Sequence, residues 1–207
     1  REYLKSRARL VDMKRAQDFG HGTPPKSGTV YLAAADASGM MISFIQSNYM
    51  GFGSGVVVDG ISMQNRGATF VFAPGHPNRV GPGKRPYQTI IPGFVTKDRR
   101  PVMSFGVMGG TMQPQGHAQV MVRIADYGQS PQAASDGPRF RIVQGMDVSV
   151  ETSFAPAVLD DLVRRGHRTV SLADDYNQFG CAQLIWKLDG GYFAASDPRR
   201  DGQAVGF

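Results

Sequence analysis

The abrupt change of composition at residue 29 limits the folds open to this chain more than any other feature. Residues 18–28 contain three glycines and two prolines with almost nothing to bury, which predicts a linker. Two nearly continuous apolar runs follow at 29–36 and 40–47, and Ala37-Ser38-Gly39 suits a short hairpin connection between them. Such runs are typical of strands covered on both faces. The chain after residue 28 is therefore predicted to begin with a buried hairpin.

The remainder of the chain is divided by many turns, since 26 of its 207 residues are glycine and 13 are proline. Residues 73–86 are especially rich in both and predict a loop. Hydrophobic periodicity predicts strands at 56–63, 68–72, 90–96, 102–107, 182–188 and 191–195, and helices at 1–17, 114–127, from about 130, and 154–165. Strands, then helices, then strands indicate an α+β protein with a largely antiparallel core.

Composition argues against several functional classes. The formal net charge is +6, from 23 basic and 17 acidic residues, but the basic residues are scattered as short pairs. No nucleic-acid partner is therefore predicted. No apolar run is long enough to span a membrane, and the single cysteine, Cys181, allows no internal disulfide. The four histidines have no partners at ligand spacing, so we predict neither a metal site nor another cofactor. The compartment stays open.

Thr29 is the candidate nucleophile because of where it stands, between the linker and the first apolar run. If the Gly28–Thr29 bond is cut, Thr29 holds both a hydroxyl nucleophile and a free α-amino group that can act as a base. An α-amino group has a pKa of about 7.7–8, which suits proton transfer near neutral pH. From local sequence alone, the alternative that Thr29 is an ordinary β-branched residue opening a strand stays open.

Two further features could serve the same chemistry. Gly109-Gly110 follows a predicted strand, where exposed backbone N–H groups could hold a developing oxyanion, although a Gly-Gly pair is often only a turn. Ser47 ends the strand predicted to pair with that of Thr29, so its hydroxyl could reach the Thr29 side chain. The chain shows no Ser/His/Asp triad spacing.

At this point the sequence from Thr29 to Phe207 resembles the small subunit of the γ-glutamyltranspeptidase family of N-terminal nucleophile hydrolases, which also includes some cephalosporin acylases. The resemblance lies in an ordered series of motifs. They are Thr29 with the strand to Asp36, Phe52-Gly53-Ser54-Gly55, Gln64-Asn65, Pro82-Gly83-Lys84-Arg85-Pro86, Pro92, Met108-Gly109-Gly110, Asp136-Gly137-Pro138-Arg139-Phe140 and Ala195-Ser196-Asp197-Pro198-Arg199.

This resemblance implies a fold, a division of the chain and a mechanism. The fold is the αββα sandwich, of which this chain holds the small-subunit half. Residues 1–28 would be the end of the large subunit and its linker, and residues 29–207 the catalytic small subunit. Cleavage at Gly28–Thr29 would release the nucleophile, Gly109 and Gly110 would form the oxyanion hole, and Ser47 would hydrogen-bond Thr29. The implied partners are a large subunit from the same precursor and a small amide or γ-glutamyl substrate, and heterodimers could assemble into higher oligomers.

The sequence departs from the family where glutamate-specific members bind the donor. Those members hold the α-amino group with an asparagine, a glutamine or glutamate, and an aspartate, and this chain has Tyr49, Arg66 and Thr69 there. A serine pair that binds the α-carboxylate is Gln88-Thr89 here. The resemblance thus implies an amide hydrolase or acyltransferase of open donor specificity. The alternatives are an acylase for non-glutamyl amides, such as glutaryl amides, and an unprocessed, non-catalytic precursor fragment.

Overall fold

The computed structural model describes residues 2–11, 29–173 and 176–207. The helices are α1 (Glu2–Ala8), α2 (Gln113–Ala125), α3 (Pro131–Asp136), α4 (Pro156–Arg164) and α5 (Tyr176–Phe179). The strands are β1 (Thr29–Ala35), β2 (Met41–Ser47), β3 (Val57–Val58), β4 (Ile61–Ser62), β5 (Gly93–Lys97), β6 (Arg100–Met108), β7 (Phe140–Gln144), β8 (Asp147–Glu151), β9 (Arg168–Leu172), β10 (Cys181–Leu188) and β11 (Gly191–Ser196). Two 3₁₀ turns span Arg66–Thr69 and Gly110–Met112. The predicted α+β class is confirmed.

A four-stranded antiparallel sheet in the order β11-β10-β6-β5 forms the centre of the fold. One of its faces packs against α2 and α3. The core between these layers consists of Met103, Phe105, Val107, Val120, Ile124, Ala134, Ala182, Leu184 and Ala195. Met103, Phe105 and Val107 alternate along β6, so these three side chains lie on the face that packs against the helices.

The β1–β2 hairpin lies on the opposite face of this sheet. Residue 106 of β6 is glycine, and a Cβ there would overlap the ring of Tyr31, so the missing side chain lets β1 approach closely. The Ser43 hydroxyl donates a hydrogen bond of 3.4 Å to the carbonyl of Phe105. The described residues thus form three layers: helices, the four-stranded sheet, and the hairpin.

A three-stranded sheet in the order β7-β8-β9 lies beside α5, which contacts β7. β7 and β8 are antiparallel, whereas β8 and β9 are parallel and are connected through α4. Pro156 begins α4, and Gly166 follows its end with a φ of 96°, a backbone conformation that favours glycine. None of β7, β8 and β9 is predicted by the sequence.

Most of the other predicted elements are confirmed within a few residues, with two corrections. Residues 68–72 do not form a strand, because a 3₁₀ turn occupies Arg66–Thr69 and only a single bridge joins Val71 to Arg79. Residues 56–63 form two strands of two residues each rather than one. The linker prediction for 18–28, and most of the predicted helix over 1–17, lie outside the described residues.

The β1–β2 hairpin is not covered on both faces in the part of the chain that the structure describes, contrary to the prediction from its apolar runs. Its outward side chains alternate along the two strands, and Val30, Leu32, Ile42 and Phe44 are exposed. An apolar face of this kind on a paired hairpin is a surface that water solvates poorly. No helix among the described residues is long and apolar enough to cross a membrane.

Candidate active site

Thr29 and Ser47 face each other at the open end of the hairpin. They are register partners, because Thr29 is the first residue of β1 and Ser47 the last of β2. The Thr29 hydroxyl donates a hydrogen bond of 2.9 Å to Ser47 Oγ, and the backbone N–H of Tyr49 donates a second, also of 2.9 Å, to the same oxygen. Both side chains are half-buried. Ser47 therefore orients the Thr29 hydroxyl and also fixes the chain as it leaves β2. Gly28, the other half of the predicted cleavage site, lies outside the described residues.

Gly109 and Gly110 form a sharp turn directly after β6. Gly109 has a φ of 146° and Gly110 a φ of 59°, and both values lie in the region that favours glycine. A Cβ on Gly109 would lie 2.8 Å from the Cα of Gly180, so this position also needs glycine for space. The turn continues into the 3₁₀ turn before α2, with the Met112 N–H donating to the Gly109 carbonyl over 3.1 Å.

The start of β1 and the end of β6 lie at the same edge of the layered structure. Val30, next to Thr29, and Met108, next to Gly109, line one cavity of about 210 Å³. Tyr31, Cys181 and Gln183, together with residues 200–202, line the rest of the cavity. The two chain segments that carry Thr29 and the glycine turn therefore border one cavity through the adjacent residues Val30 and Met108.

Three of the five residues predicted to bind substrate form a connected group after β2. The Arg66 guanidinium lies over the Tyr49 ring, with Cζ 5.5 Å from the ring centroid, and its Nε donates to Thr89 Oγ1 over 3.2 Å. Tyr49 has a φ of 77°, which turns the chain sharply after β2. This group is tied to Thr29 through the Tyr49 N–H on Ser47.

The other two predicted binding residues have different places. The Thr69 hydroxyl donates to the carbonyl of Arg66 over 2.8 Å and also approaches the carbonyl of Tyr87, so its contacts are with the backbone of the turn. Gln88 is exposed. The structure therefore brings Tyr49, Arg66 and Thr89 together and leaves Gln88 aside.

Arg66 has an unusual environment for a charged side chain. The residue is only 2 % exposed, and Nη2 has no hydrogen-bond partner. None of the described carboxylates forms an ion pair with it. Burial lowers the pKa of Arg66, and the nearby Tyr49 acts in the opposite direction, but a guanidinium stays charged at any ordinary pH.

Asn65 joins the two loops that surround this group, a role that the sequence does not reveal. Its side chain accepts a hydrogen bond from the Met50 N–H over 3.0 Å and donates to the carbonyls of Met50 and Gly53. An asparagine amide can satisfy a donor and two acceptors at once. Its presence in a motif of the resemblance was the one available signal.

A buried ionic cluster of Arg139, Glu151, Asp197 and Arg199 contacts the glycine turn through Gly180. The guanidinium of Arg139 donates to Asp197 Oδ2 over 2.7 Å and to the carbonyl of Gly180 over 2.9 Å, and Gly180 packs on Gly109. The guanidinium of Arg199 binds Glu151 Oε2 over 2.6 Å and Asp197 Oδ1 over 3.1 Å. The sequence shows these residues as motif members but not as one cluster.

The pKa values in this cluster reflect opposing effects. Burial lowers the pKa of Arg139, with the Asp197 carboxylate opposing it. Burial also opposes charge on Arg199, but the hydrogen bonds that its guanidinium donates to Glu151, together with the charge of Asp197, raise the pKa of Arg199 above its usual value. The Asp197 carboxylate therefore favours the charged form of both guanidinium groups.

The described residues contain no group of three or more His, Cys, Asp or Glu side chains placed to hold a metal ion. A larger open cavity of about 630 Å³ lies on the outer side of α2, where Val122, Phe140, Ile142 and Phe154 line it. None of the predicted site residues lines this cavity. It is therefore separate from the Thr29 neighbourhood.

This architecture is found in a solved acylase. The structure of cephalosporin acylase from Bacillus halodurans matches with a TM-score of 0.78 and 50% sequence identity, over 98% of this chain and 37% of that chain. The molecule is thus an α+β protein with the fold of a region of that enzyme.

The family follows from the sequence comparisons. The family profile described as Gamma-glutamyltranspeptidase matches residues 1–207, and the chain belongs to the γ-glutamyltranspeptidase family. It is 37% identical over 214 residues to the oxamate amidohydrolase proenzyme of Klebsiella pneumoniae, covering 100% of this chain and 40% of that protein. It is 38% identical over 194 residues to the glutathione hydrolase-like YwrD proenzyme of Bacillus subtilis, covering 88% of this chain and 36% of that protein. The chain thus spans about two fifths of the length of these relatives.

Proposed function

We propose that this chain is the nucleophile-bearing region of an amide hydrolase or acyltransferase that uses Thr29. The observation that carries the proposal is the 2.9 Å hydrogen bond from the Thr29 hydroxyl to Ser47, at the point where β1 begins. The family membership and the proenzyme names of both relatives support it.

The first proposed step is self-cleavage of the precursor at Gly28–Thr29. Thr29 Oγ attacks the Gly28 carbonyl carbon, the C–N bond breaks, and an ester joins the two residues. Water then hydrolyses the ester, which leaves a carboxylate on Gly28 and a free α-amino group on Thr29. In this proposal residues 1–28 end a large subunit, residues 29–207 form the small subunit, and the two together complete the αββα sandwich. The exposed outward face of the hairpin is consistent with a further layer.

The second step is acyl transfer from an amide. The Thr29 α-amino group accepts the hydroxyl proton as Oγ attacks the amide carbonyl. The N–H groups of Gly109 and Gly110 stabilise the oxyanion, an interaction for which one donor is typically worth about 3 kcal/mol. The proton passes to the leaving amine, and water or a second amine then resolves the acyl-enzyme. Ser47 holds the hydroxyl in position throughout.

Two substrate classes remain candidates for this site. A γ-glutamyl amide is one, as the name of the YwrD relative and the family suggest. The other is an amide whose acyl group carries a carboxylate and no α-amine. The names of the cephalosporin acylase and oxamate amidohydrolase relatives support an acyl group other than glutamyl, since oxamate is itself the monoamide of a dicarboxylic acid.

The test is to compare full-length precursors with Thr29, Thr29→Ser and Thr29→Ala. We expect the first to split into two fragments, with Thr29 found as a new N-terminus by Edman sequencing. Thr29→Ser should also split, because its hydroxyl survives, but at a lower rate. Thr29→Ala should remain one chain and hydrolyse no amide. Normal splitting of Thr29→Ala would refute the proposal, and absence of splitting in every precursor would favour a non-catalytic fragment.

A further inference from the structure

Arg66 is a buried cation whose bonding is incomplete. It is 2 % exposed, its Nε donates to Thr89 Oγ1, and Nη2 has no partner. A buried guanidinium is normally paired with a carboxylate, because removing its charge from water is unfavourable unless an anion or several acceptors replace the water. The other fully buried arginine, Arg139, obeys this rule through its 2.7 Å ion pair with Asp197. Within the described residues Arg66 does not.

The side chain is nevertheless held firmly in place. Tyr49 lies against the guanidinium, Thr89 fixes Nε, and the Thr69 hydroxyl binds the Arg66 carbonyl over 2.8 Å. A guanidinium that is stacked and anchored at one nitrogen keeps the planar geometry that receives a carboxylate. The site is therefore organised for an anion that the described part of the chain does not provide.

This guanidinium also belongs to the neighbourhood of the nucleophile. Tyr49, which contacts it, donates its backbone N–H to Ser47 Oγ, and Ser47 binds the Thr29 hydroxyl. One unbroken series of contacts thus runs from Thr29 to Arg66. A ligand acylating Thr29 would extend into the region that Tyr49 and Arg66 border.

We infer that Arg66 determines donor specificity, with its Nη2 binding an anionic oxygen of the acyl group. The donor would be a monoamide of a small dicarboxylic acid, with a carboxylate on the acyl chain and no amine beside it. An ammonium group in the same place would face a buried like charge. This inference rests on the proposed function, since it assumes that Thr29 receives the acyl group.

The test uses the processed full-length protein and three p-nitroanilides that share one leaving group. Glutaryl p-nitroanilide carries the carboxylate alone, γ-glutamyl p-nitroanilide adds the amine, and butyryl p-nitroanilide has neither. We expect kcat/KM to be highest for the glutaryl compound, by roughly tenfold or more over each of the others. This is the range expected for one charge-assisted contact.

Two variants and a matched control assign the effect to Arg66. Arg66→Gln should lower kcat/KM for the glutaryl compound by roughly 10- to 100-fold and leave the butyryl compound within about threefold, while Arg66→Lys should recover part of the loss. Arg79→Gln changes an exposed arginine of the same segment and should change neither rate. Arg66→Gln should still be cleaved at Thr29, because self-cleavage uses no external donor.

A ligand-binding measurement gives an answer that does not depend on anilide turnover. Glutarate should raise the melting temperature of the processed protein more than glutamate does, and Arg66→Gln should abolish the difference. A preference for γ-glutamyl over glutaryl p-nitroanilide would overturn the inference alone, as would equal losses on the glutaryl and butyryl compounds in Arg66→Gln. Failure of the precursor to split at Thr29 would instead overturn the proposed function.

Discussion

Replacing Ser47 with alanine is the most direct test of how the candidate site is organised. Ser47 Oγ accepts two hydrogen bonds of 2.9 Å, one from the Thr29 hydroxyl and one from the Tyr49 N–H. The substitution removes the acceptor and keeps the Cβ. Thr29 should therefore lose the contact that fixes its hydroxyl, while the hairpin itself stays paired.

The expected loss follows from these two contacts. A hydroxyl–hydroxyl hydrogen bond contributes about 1 kcal/mol net, and leaving a half-buried N–H without a partner adds about 1 kcal/mol. If the variant must supply this free energy again to place the hydroxyl and the Tyr49 N–H as the transition state requires, the barrier rises by about 2 kcal/mol, which corresponds to roughly 30-fold in rate. We therefore expect precursor splitting and kcat to fall by about that factor in Ser47→Ala.

The assay is a time course of precursor splitting on denaturing gels, followed by amide hydrolysis with the processed protein. The chain offers a matched control in Ser43→Ala, on the same strand, because the Ser43 hydroxyl lies 2.7 Å from the Tyr31 hydroxyl of β1. This control should lose about 1–3 kcal/mol of stability, since Tyr31 is buried, yet change either rate by less than about threefold. Equal rate losses in both variants, or none in Ser47→Ala, would refute the reasoning.

Three further predictions concern the surroundings of the site. Cys181 is 1 % exposed and burial raises its pKa to about 12, so iodoacetamide at pH 8 should label it only after unfolding, and rapid native labelling would contradict this. Gly109→Ala should abolish activity and destabilise strongly because its Cβ meets Gly180, whereas Gly110→Ala, with open space, should lose only about 1–2 kcal/mol in urea unfolding. Asp197→Asn should lose about 3–5 kcal/mol by the same measurement, against less than about 1 kcal/mol for Asp161→Asn, whose ion pairs are exposed.

The hairpin and its site pair could be predicted because local signals determine them. The apolar runs at 29–36 and 40–47 and the glycine between them indicate β1 and β2, observed as Thr29–Ala35 and Met41–Ser47. Once the two strands pair from their shared turn, their far ends must meet. The contact between Thr29 and Ser47 follows from that register.

One of the missed elements, β9, depends on contacts between distant parts of the chain, whereas β7 and β8 are neighbours in sequence. β9 pairs in parallel with β8 only after α4 has crossed between them, and a parallel partner leaves no local turn signal. The strand predicted at 68–72 fails for a similar reason. The Asn78 side chain binds the Thr69 carbonyl and accepts from the Tyr87 N–H over 3.0 Å, so a side chain takes hydrogen bonds that a strand would use.

The environment of Arg66 lay beyond any sequence argument. Its position in the chain could be compared with the family pattern, but the absence of a carboxylate near its guanidinium is a property of the packed structure. The same holds for the Arg139–Asp197 pair, whose partners are 58 residues apart. Charges distant in sequence give no sign of which of them will meet.

The two halves of the proposed site, the glycine turn and the group around Arg66, are held by different kinds of contact. This difference suggests how members of one family come to accept different substrates. The glycine turn is supported by a buried ionic cluster through Gly180, where changing one member leaves an unpaired buried charge. The residues proposed to bind the acyl donor are held by single contacts between loops, such as those of Thr89 and Tyr49 with Arg66. Substitution of one of these loop residues therefore changes the donor-binding region with little change in the free energy of unfolding. One scaffold can therefore keep its reaction centre while its loops accept different acyl groups, which accords with relatives named for oxamate, glutathione and cephalosporin.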